Sequence, residues 1–305
     1  MIAIAGGTFL VFIPHTILWG FREFTGLAPK REGRKRIRRF TLVQRLFHSL
    51  LMASFLIQAA TGLARLFSGT PMGNYLVALF GGFSTVIIIH KWAGIFMLVL
   101  FAVHIFYVLS RIDWRRFPRN LLGPDSILPS PDDLRQAVQH VGWLLGKNKL
   151  PRFDRWGYWE KFDYWAVFWG MFIIGGTGIM LFKPTLTSLF LPGWLLNVAL
   201  WVHRIEAILA MAHVFTIHFF IGHLRLHNFP MDLAMFQGSV DLEAARHEKP
   251  GWIERLEKEN RLDQLLEPDP GTRRRVIFYL IGYSAMAAGT ILLVGGIISA
   301  FSTQW

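Results

Sequence analysis

Long apolar runs alternate along this chain with short polar loops and strongly basic ones. A bilayer core takes about 20 apolar residues in helical form. Six runs reach that length, at roughly 2–21, 42–66, 84–109, 163–182, 197–223 and 276–299. The first has no basic leader region and no small-residue cleavage site, so it reads as a retained span and not a signal peptide. Segment 22–39 carries Arg22, Lys30, Arg31, Arg34, Lys35, Arg36, Arg38 and Arg39 against Glu23 and Glu32. By contrast, 67–83 is uncharged, and 183–196 has only Lys183. The loops 110–162 and 224–275 are long and rich in Arg and Lys. Positive charge on alternate loops predicts that those loops are cytoplasmic and that both termini lie outside.

Both long loops carry helix signals. Ser130-Pro131-Asp132-Asp133 reads as a helix start, with Ser as cap, Pro at the first position and acids in the first turn. Leu134, Val138, Val141 and Leu145 then recur at helical spacing, predicting a helix laid on the membrane face or on the bundle. Residues 252–266 read as a second amphipathic helix, with Arg255 and Glu259 one turn apart, and Pro268 and Pro270 separate it from the last span. Gly282, Gly289, Gly295 and Gly296 in that span predict close helix packing.

Composition agrees with a membrane protein. Of 305 residues, 53% are hydrophobic and only 17% charged, below the quarter or so typical of soluble domains. The net charge of +12 flanks the apolar spans, so it sets topology and does not indicate a nucleic-acid partner. The chain has no cysteine, which excludes disulfides, thiolate zinc, iron–sulfur clusters and c-type haem attachment within it. A redox centre here must be held by histidine, and there are 11.

Most of those histidines fall within or at the ends of the spans, where ionisable groups are costly and point to function. His90 and His104 are 14 residues apart, roughly 40° in azimuth and about 21 Å in height. His203 and His218 are 15 apart, about 60° and about 22 Å. Two such helices can clamp two stacked haems, each iron between two neutral imidazoles in a dry pocket suited to electron transfer. Given the span directions, His90 and His203 share the outer depth, whereas His104, His218 and His48 share the inner one. The outer pair is then His90 with His203. The inner haem has His218 and a choice between His48 and His104, and spacing slightly favours His104, which shares a face with His90.

Other polar residues have plainer readings beside the functional ones. His213 is expected to pack or hydrogen-bond mid-membrane, His15 to be structural, and His140, His227 and His247 to be solvated. His223 sits at the inner boundary, within reach of a haem propionate or a quinone. Arg204 can neutralise a propionate, but a salt bridge with Glu206 is the simpler expectation. Gln44, Arg45, Lys161 and Tyr164 gather at the inner ends of two spans, where they suit a quinone head group and equally suit interfacial anchoring.

Several segments resemble the integral-membrane cytochrome b family of formate dehydrogenase gamma subunits and NiFe-hydrogenase b-type cytochromes. RFTLVQRLFHSLLMASFLIQAATGL (39–63) is similar to that family's first core helix, with an Arg three residues before a His and a Thr-Gly at the far end. HKWAGIFMLVLFAVH (90–104) is similar to its second. YWEKFDYWAVFWGMFIIGGTGIMLF (158–182) and HRIEAILAMAHVFTIHFF (203–220), followed by FPMD (229–232), resemble a sub-branch that works with multihaem c-type cytochromes. The resemblance covers roughly 38–250. It implies His48 with His218 for the inner haem b and His90 with His203 for the outer one, which displaces the spacing preference for His104. His104 stays as an alternate ligand or the ligand of a third haem. The fourth core helix departs from the family in its 15-residue spacing, and the terminal spans are extra.

The expectation is an all-α, integral-membrane bundle of six spans. It comprises an N-terminal transmembrane helix and basic linker (1–37), a four-helix di-haem core (38–232), a cytoplasmic amphipathic segment (233–275) and a C-terminal transmembrane helix (276–305). The function expected is electron transfer across a bacterial inner membrane between quinone or quinol and a periplasmic multihaem cytochrome c or iron–sulfur subunit. A His-lined metal or proton transporter would want carboxylates among the mid-membrane histidines, where Glu206 alone lies well within a span. A haem-free membrane anchor would predict no depth pairing.

Overall fold

A computed structural model of the protein describes residues 2–25, 35–118, 121, 123–225, 228 and 231–302. Lys30, Arg31, Glu32 and Arg34 of the basic linker, His227, and Phe229 and Pro230 of the FPMD segment lie outside the described residues.

Helices dominate. The long apolar sequences form α1 (Ile2–Thr25), α2 (Leu42–Leu66), α4 (Phe83–Ser110), α6 (Tyr158–Phe182), α8 (Gly193–Ala212) and α13 (Thr272–Ser302). Between them lie α3 (Pro71–Leu79), α5 (Pro131–Leu144), α7 (Pro184–Thr187), α9 (Ala234–Gln237), α10 (Leu242–Glu248), α11 (Pro250–Lys258) and α12 (Leu262–Leu265). Helix α8 continues into π-helical runs at His213–His218 and Phe220–Leu224, where Asn228 donates to the carbonyls of Ile221 and Gly222 and so satisfies the end of the run. Among the described residues, five helical stretches are long and apolar enough to cross a membrane: α2, α4, α6, Gly193–Leu224 and α13. The protein is an α-helical, multi-pass membrane protein. Three short strands, β1 (Arg36–Arg38), β2 (Ser239–Asp241) and β3 (Leu266–Glu267), add an antiparallel sheet in the order β2-β1-β3.

The chain falls into two compact units, and the division runs through the long helices. The first comprises Met1–Leu46, Val108–Ala166 and Ile217–Leu280. Its sheet buries Ile37, with Leu242, Ala245, Trp252, Ile253 and Leu256 packed around it. The strands escape sequence reading because Arg36 and Arg38 flank that single apolar residue and resemble solvated linker. The helix expected over 252–266 is interrupted, because Asn260 takes a left-handed conformation (φ 54°) that ends α11 before α12 begins. The Arg255–Glu259 contact survives at 3.8 Å, but Arg255 is held more closely by Asp125 (2.9 Å) and Asp154 (2.7 Å).

Helix α5 starts as its sequence suggests. The Asp133 carboxylate accepts from the Ser130 backbone N–H at 2.6 Å and its hydroxyl at 3.0 Å. The stripe at Leu134 and Val138 faces outward, 72% and 65% exposed, and the opposite face enters the core. There His140 is 1% exposed, which corrects its reading as a solvated loop residue. Its ring lies among Trp19, Trp143 and Phe153, and its Nδ1 is 2.8 Å from the Tyr158 hydroxyl. That hydroxyl also meets His15 Nε2 at 2.5 Å, so one phenol joins α1, α5 and α6. His247 is exposed, as expected.

The second unit comprises Phe47–Tyr107, Val167–Thr216 and Ile281–Trp305. Small residues let its helices approach closely. A Cβ at Gly295 would collide with Met72 Sδ, and one at Gly175 would lie 2.5 Å from Leu98 Cδ2. Helix α3 folds from the uncharged loop because Pro71 opens it and the Thr70 hydroxyl accepts from Gly73 N–H at 3.1 Å.

Candidate functional site

The second unit brings His90 and His203 together. Their ring centroids are 6.3 Å apart, at an interplanar angle of 76°. Each ring is seated by a Thr-Gly pair on a neighbouring helix. On α2, Gln58, Thr61, Gly62 and Arg65 share one face at i, i+3, i+4 and i+7. Thr61 Oγ1 lies 2.9 Å from His90 Nδ1, and a Cβ on Gly62 would meet His90 Cε1 at 3.5 Å. Gln58 donates to the His90 carbonyl at 3.1 Å, in space that Gly94 leaves open. On α6, Thr177 Oγ1 lies 3.1 Å from His203 Nδ1, and a Cβ on Gly178 would meet His203 Cε1 at 3.4 Å.

These hydroxyls assign the tautomers. Thr61 Oγ1 donates to the Ile57 carbonyl at 2.7 Å, and Thr177 Oγ1 to that of Ile173 at 2.6 Å. A hydroxyl has one proton. With that proton committed to the backbone, each oxygen must accept from Nδ1–H of its histidine. The Ile174 carbonyl, an acceptor only, confirms this for His203 at 3.1 Å. Both Nε2 atoms therefore keep their lone pairs, the state a metal ligand needs. Two metal–imidazole bonds of about 2.0–2.1 Å, with about 1.1 Å from each ring centre to its nitrogen, place the two centroids roughly 6.4 Å apart. The observed spacing thus fits one iron held by both rings.

Arg65 stands close enough to His90, His203 and Arg204 for its charge to act on all three. Arg204 lies over Trp201, with its guanidinium carbon 5.9 Å from the ring centroid. Among the described residues neither arginine forms an ion pair. The expected Arg204–Glu206 bridge does not form, because positions i and i+2 of a helix point to different sides. Two cations with no ion-pair partner among the described residues suit an anionic ligand, such as the propionates of a haem.

The other sequence-predicted residues are distributed between the units. In the second unit, His48 is half-buried on α2, and His104 packs edge-on against Phe47 (5.0 Å) and Phe168 (6.2 Å). In the first, His218 Nδ1 is 3.1 Å from Asp163 Oδ2, and its ring is 6.3 Å from that of His223. A carboxylate only accepts, so His218 also carries its proton on Nδ1 and leaves Nε2 for a ligand. His213 opens the π-helical run that ends at His218.

The residues expected at a quinone edge have partners within the first unit. Gln44 closes a reciprocal cap with Thr41 at the start of α2, at 2.9 and 3.3 Å. Arg45 donates to the Phe236 carbonyl through Nε at 2.8 Å and through Nη2. Lys161 pairs with Asp133 at 2.9 Å. Tyr164 lies edge-on to Trp165. Sequence reading did not assign roles to Thr61, Thr177, Arg65 or Asp163. A usable signal was the repeated Thr-Gly within spans that neighbour a histidine-bearing helix.

A helical membrane protein with two imidazoles 6.3 Å apart, each with Nδ1 tied back and arginines nearby, fits the class of b-type cytochromes. The model of one family, prokaryotic cytochrome b561, matches residues 39–238, and the chain belongs to that family. It is also 22% identical over 230 residues to the formate dehydrogenase cytochrome b556(fdo) subunit of Escherichia coli K12, covering 74% of this chain and 95% of that one. The same figures hold for the subunits from strains O6:H1 and O157:H7. The protein is thus a membrane-embedded, haem-binding cytochrome b of the electron-transport class.

Proposed function

We propose that the protein carries electrons across the bilayer through two haems b, between a quinone pool at the cytoplasmic face and a redox partner outside. The observation that carries this reading is the 6.3 Å spacing of His90 and His203 with both Nδ1 protons tied back. These two histidines hold the outer haem, with Arg65 and Arg204 toward its propionates. His48 and His218 hold the inner one. A π turn takes up one residue more than an α turn, so the His213–His218 run supports the 15-residue spacing as a working substitute for 14. The aromatic packing of His104 favours a supporting role for it over ligation, with a third haem as the remaining alternative. Bound haem supplies the reversible one-electron centre. The chain would supply the ligating imidazole nitrogens, held in orientation by their Nδ1 partners, and a dry setting.

In this reading α1 is a sixth span and both termini are extracytoplasmic. The quinone meets the chain at the His218 end, near Tyr164 and His223, with Arg45 and Lys161 as structural ties beside it. The outer partner is a multihaem cytochrome c or iron–sulfur subunit, because this chain lacks cysteines for such centres. A His-lined metal transporter is disfavoured. Among the described residues no three His, Asp or Glu side chains group to hold a metal ion.

The test is a reduced-minus-oxidised visible spectrum of the purified protein with haem quantified per chain. Two b-type haems are expected. A correctly folded, colourless preparation would overturn the proposal.

A further inference from the structure

The two histidine sites differ in charge. Around His90 and His203 every Nδ1–H acceptor in the described structure is neutral, a hydroxyl or a backbone carbonyl. The formal charge acting on both rings is that of Arg65, which is positive and has Arg204 beside it. His218 instead gives its Nδ1–H to a carboxylate, Asp163, at 3.1 Å. A carboxylate behind a ligating imidazole draws its proton away and makes Nε2 a stronger electron donor to iron. The negative charge also favours the ferric state, which carries one more positive charge than the ferrous. Nearby arginines act in the opposite sense.

We propose that Asp163 sets the order of the two reduction potentials, holding the haem site at His218 below the site at His90 and His203. The inference rests on the two-haem reading above. Each transfer moves one electron, oxidising the iron at His218 and reducing the iron at His90–His203, and it requires no bond change. With quinol as reductant at the His218 end, the downhill direction runs outward, from the quinone pool to the external partner. Asp163 is a positioning residue: it acts on the iron through His218.

Redox titration of the full-length protein in lipid nanodiscs, followed at the b-type α-band, tests this. Wild type should titrate in two steps. His203→Ala, which removes the outer site, should retain the lower step and lose the upper one. Asp163→Asn should make the lower site easier to reduce by at least tenfold in its equilibrium constant, about 59 mV for a one-electron couple. The upper step should move less than twofold. Asp163→Glu, which keeps the charge, should restore the low step, and it serves as the reference if Asp163→Asn loses haem. Arg65→Gln should shift the upper step in the reverse direction.

The inference is overturned if Asp163→Asn leaves the lower step in place, if both steps move equally, or if His203→Ala removes the lower step. It is also overturned if Asp163→Glu shifts that step as far as Asp163→Asn does. Fewer than two haems in folded wild type would instead overturn the underlying functional reading.

Discussion

In the first unit, charge meets charge. Glu160 accepts from Arg39 at 2.5 Å and Lys249 at 2.7 Å, Arg225 pairs with Glu248 at 2.8 Å, and Arg255 joins Asp125 and Asp154. The second unit is tied instead by neutral hydrogen bonds. Hydroxyls of Ser54, Thr61 and Thr177 return to backbone carbonyls, Thr70 meets Ser299, and glycines set the helix spacing. Where a chain lies in lipid, a charge has no water to return to, so neutral hydrogen bonds and close backbone contacts organise it. The first unit carries the basic loops and can spend ion pairs on shape. The difference teaches that its elements are fixed by pairing, and those of the second by fit.

Breaking the central pair should have the largest effect. Glu160→Ala leaves Arg39 and Lys249 facing one another without the carboxylate that both of them pair with. Both are nearly fully buried, and burial already draws the Lys249 ammonium down to about 8 against the pull of Glu160. Removing one partner of a buried pair costs about 3–5 kcal/mol. Thermal unfolding of the variant should show early loss of the first unit, read by proteolysis within 231–275, while the second resists. A variant cleaved no faster than wild type would break the comparison.

Acid should sharpen it by a smaller amount. Burial, then the charges of His15 and Arg225, hold the His140 ring down to about 3 from its ordinary 6.5. Protons therefore bind the unfolded chain first. This stability is complete above about pH 6.5 and is lost as pH falls from there towards 3. At pH 5 the loss amounts to roughly 2 kcal/mol, at about 1.4 kcal/mol per unit. The unfolding midpoint should fall between pH 7 and 5, and His140→Gln should lose the part of that slope that one proton contributes. An unchanged slope in the variant would refute the assignment.

Some of this was legible in the sequence because it is local. The apolar runs and the Ser130-Pro131-Asp132-Asp133 helix start each follow from spacing along one helix. What could not be read depends on partners far along the chain. His140 looks like a loop histidine until Trp19 and Tyr158 close around it from other elements. Ile37 needs strands from 239–241 and 266–267 to become core. The Thr-Gly pairs are visible as letters, but their role appears only when a histidine ring lies across each glycine. Asp163 opens an apolar run and reads as its boundary until His218 meets it.

The smallest effects lie within the second unit and test its neutral design most closely. Thr61→Val and Thr177→Val keep the branched shape and remove only the hydroxyl, yet the two should differ. His203 retains the Ile174 carbonyl at 3.1 Å after loss of Thr177, so the cost there should be below about 1 kcal/mol, the usual worth of one hydrogen bond. Among the described residues His90 Nδ1–H has Thr61 as its one acceptor. Its loss leaves a donor buried and unsatisfied, a cost of about 1–3 kcal/mol, and releases the ring to its other tautomer. Thr61→Val should therefore lower the unfolding midpoint and speed haem loss from the His90–His203 site more than Thr177→Val does. Thr61→Ser should behave as wild type, because it returns the hydroxyl without the methyl group. Equal effects from the two valine variants would show that the hydroxyls pack the helices and do not set the imidazole protons.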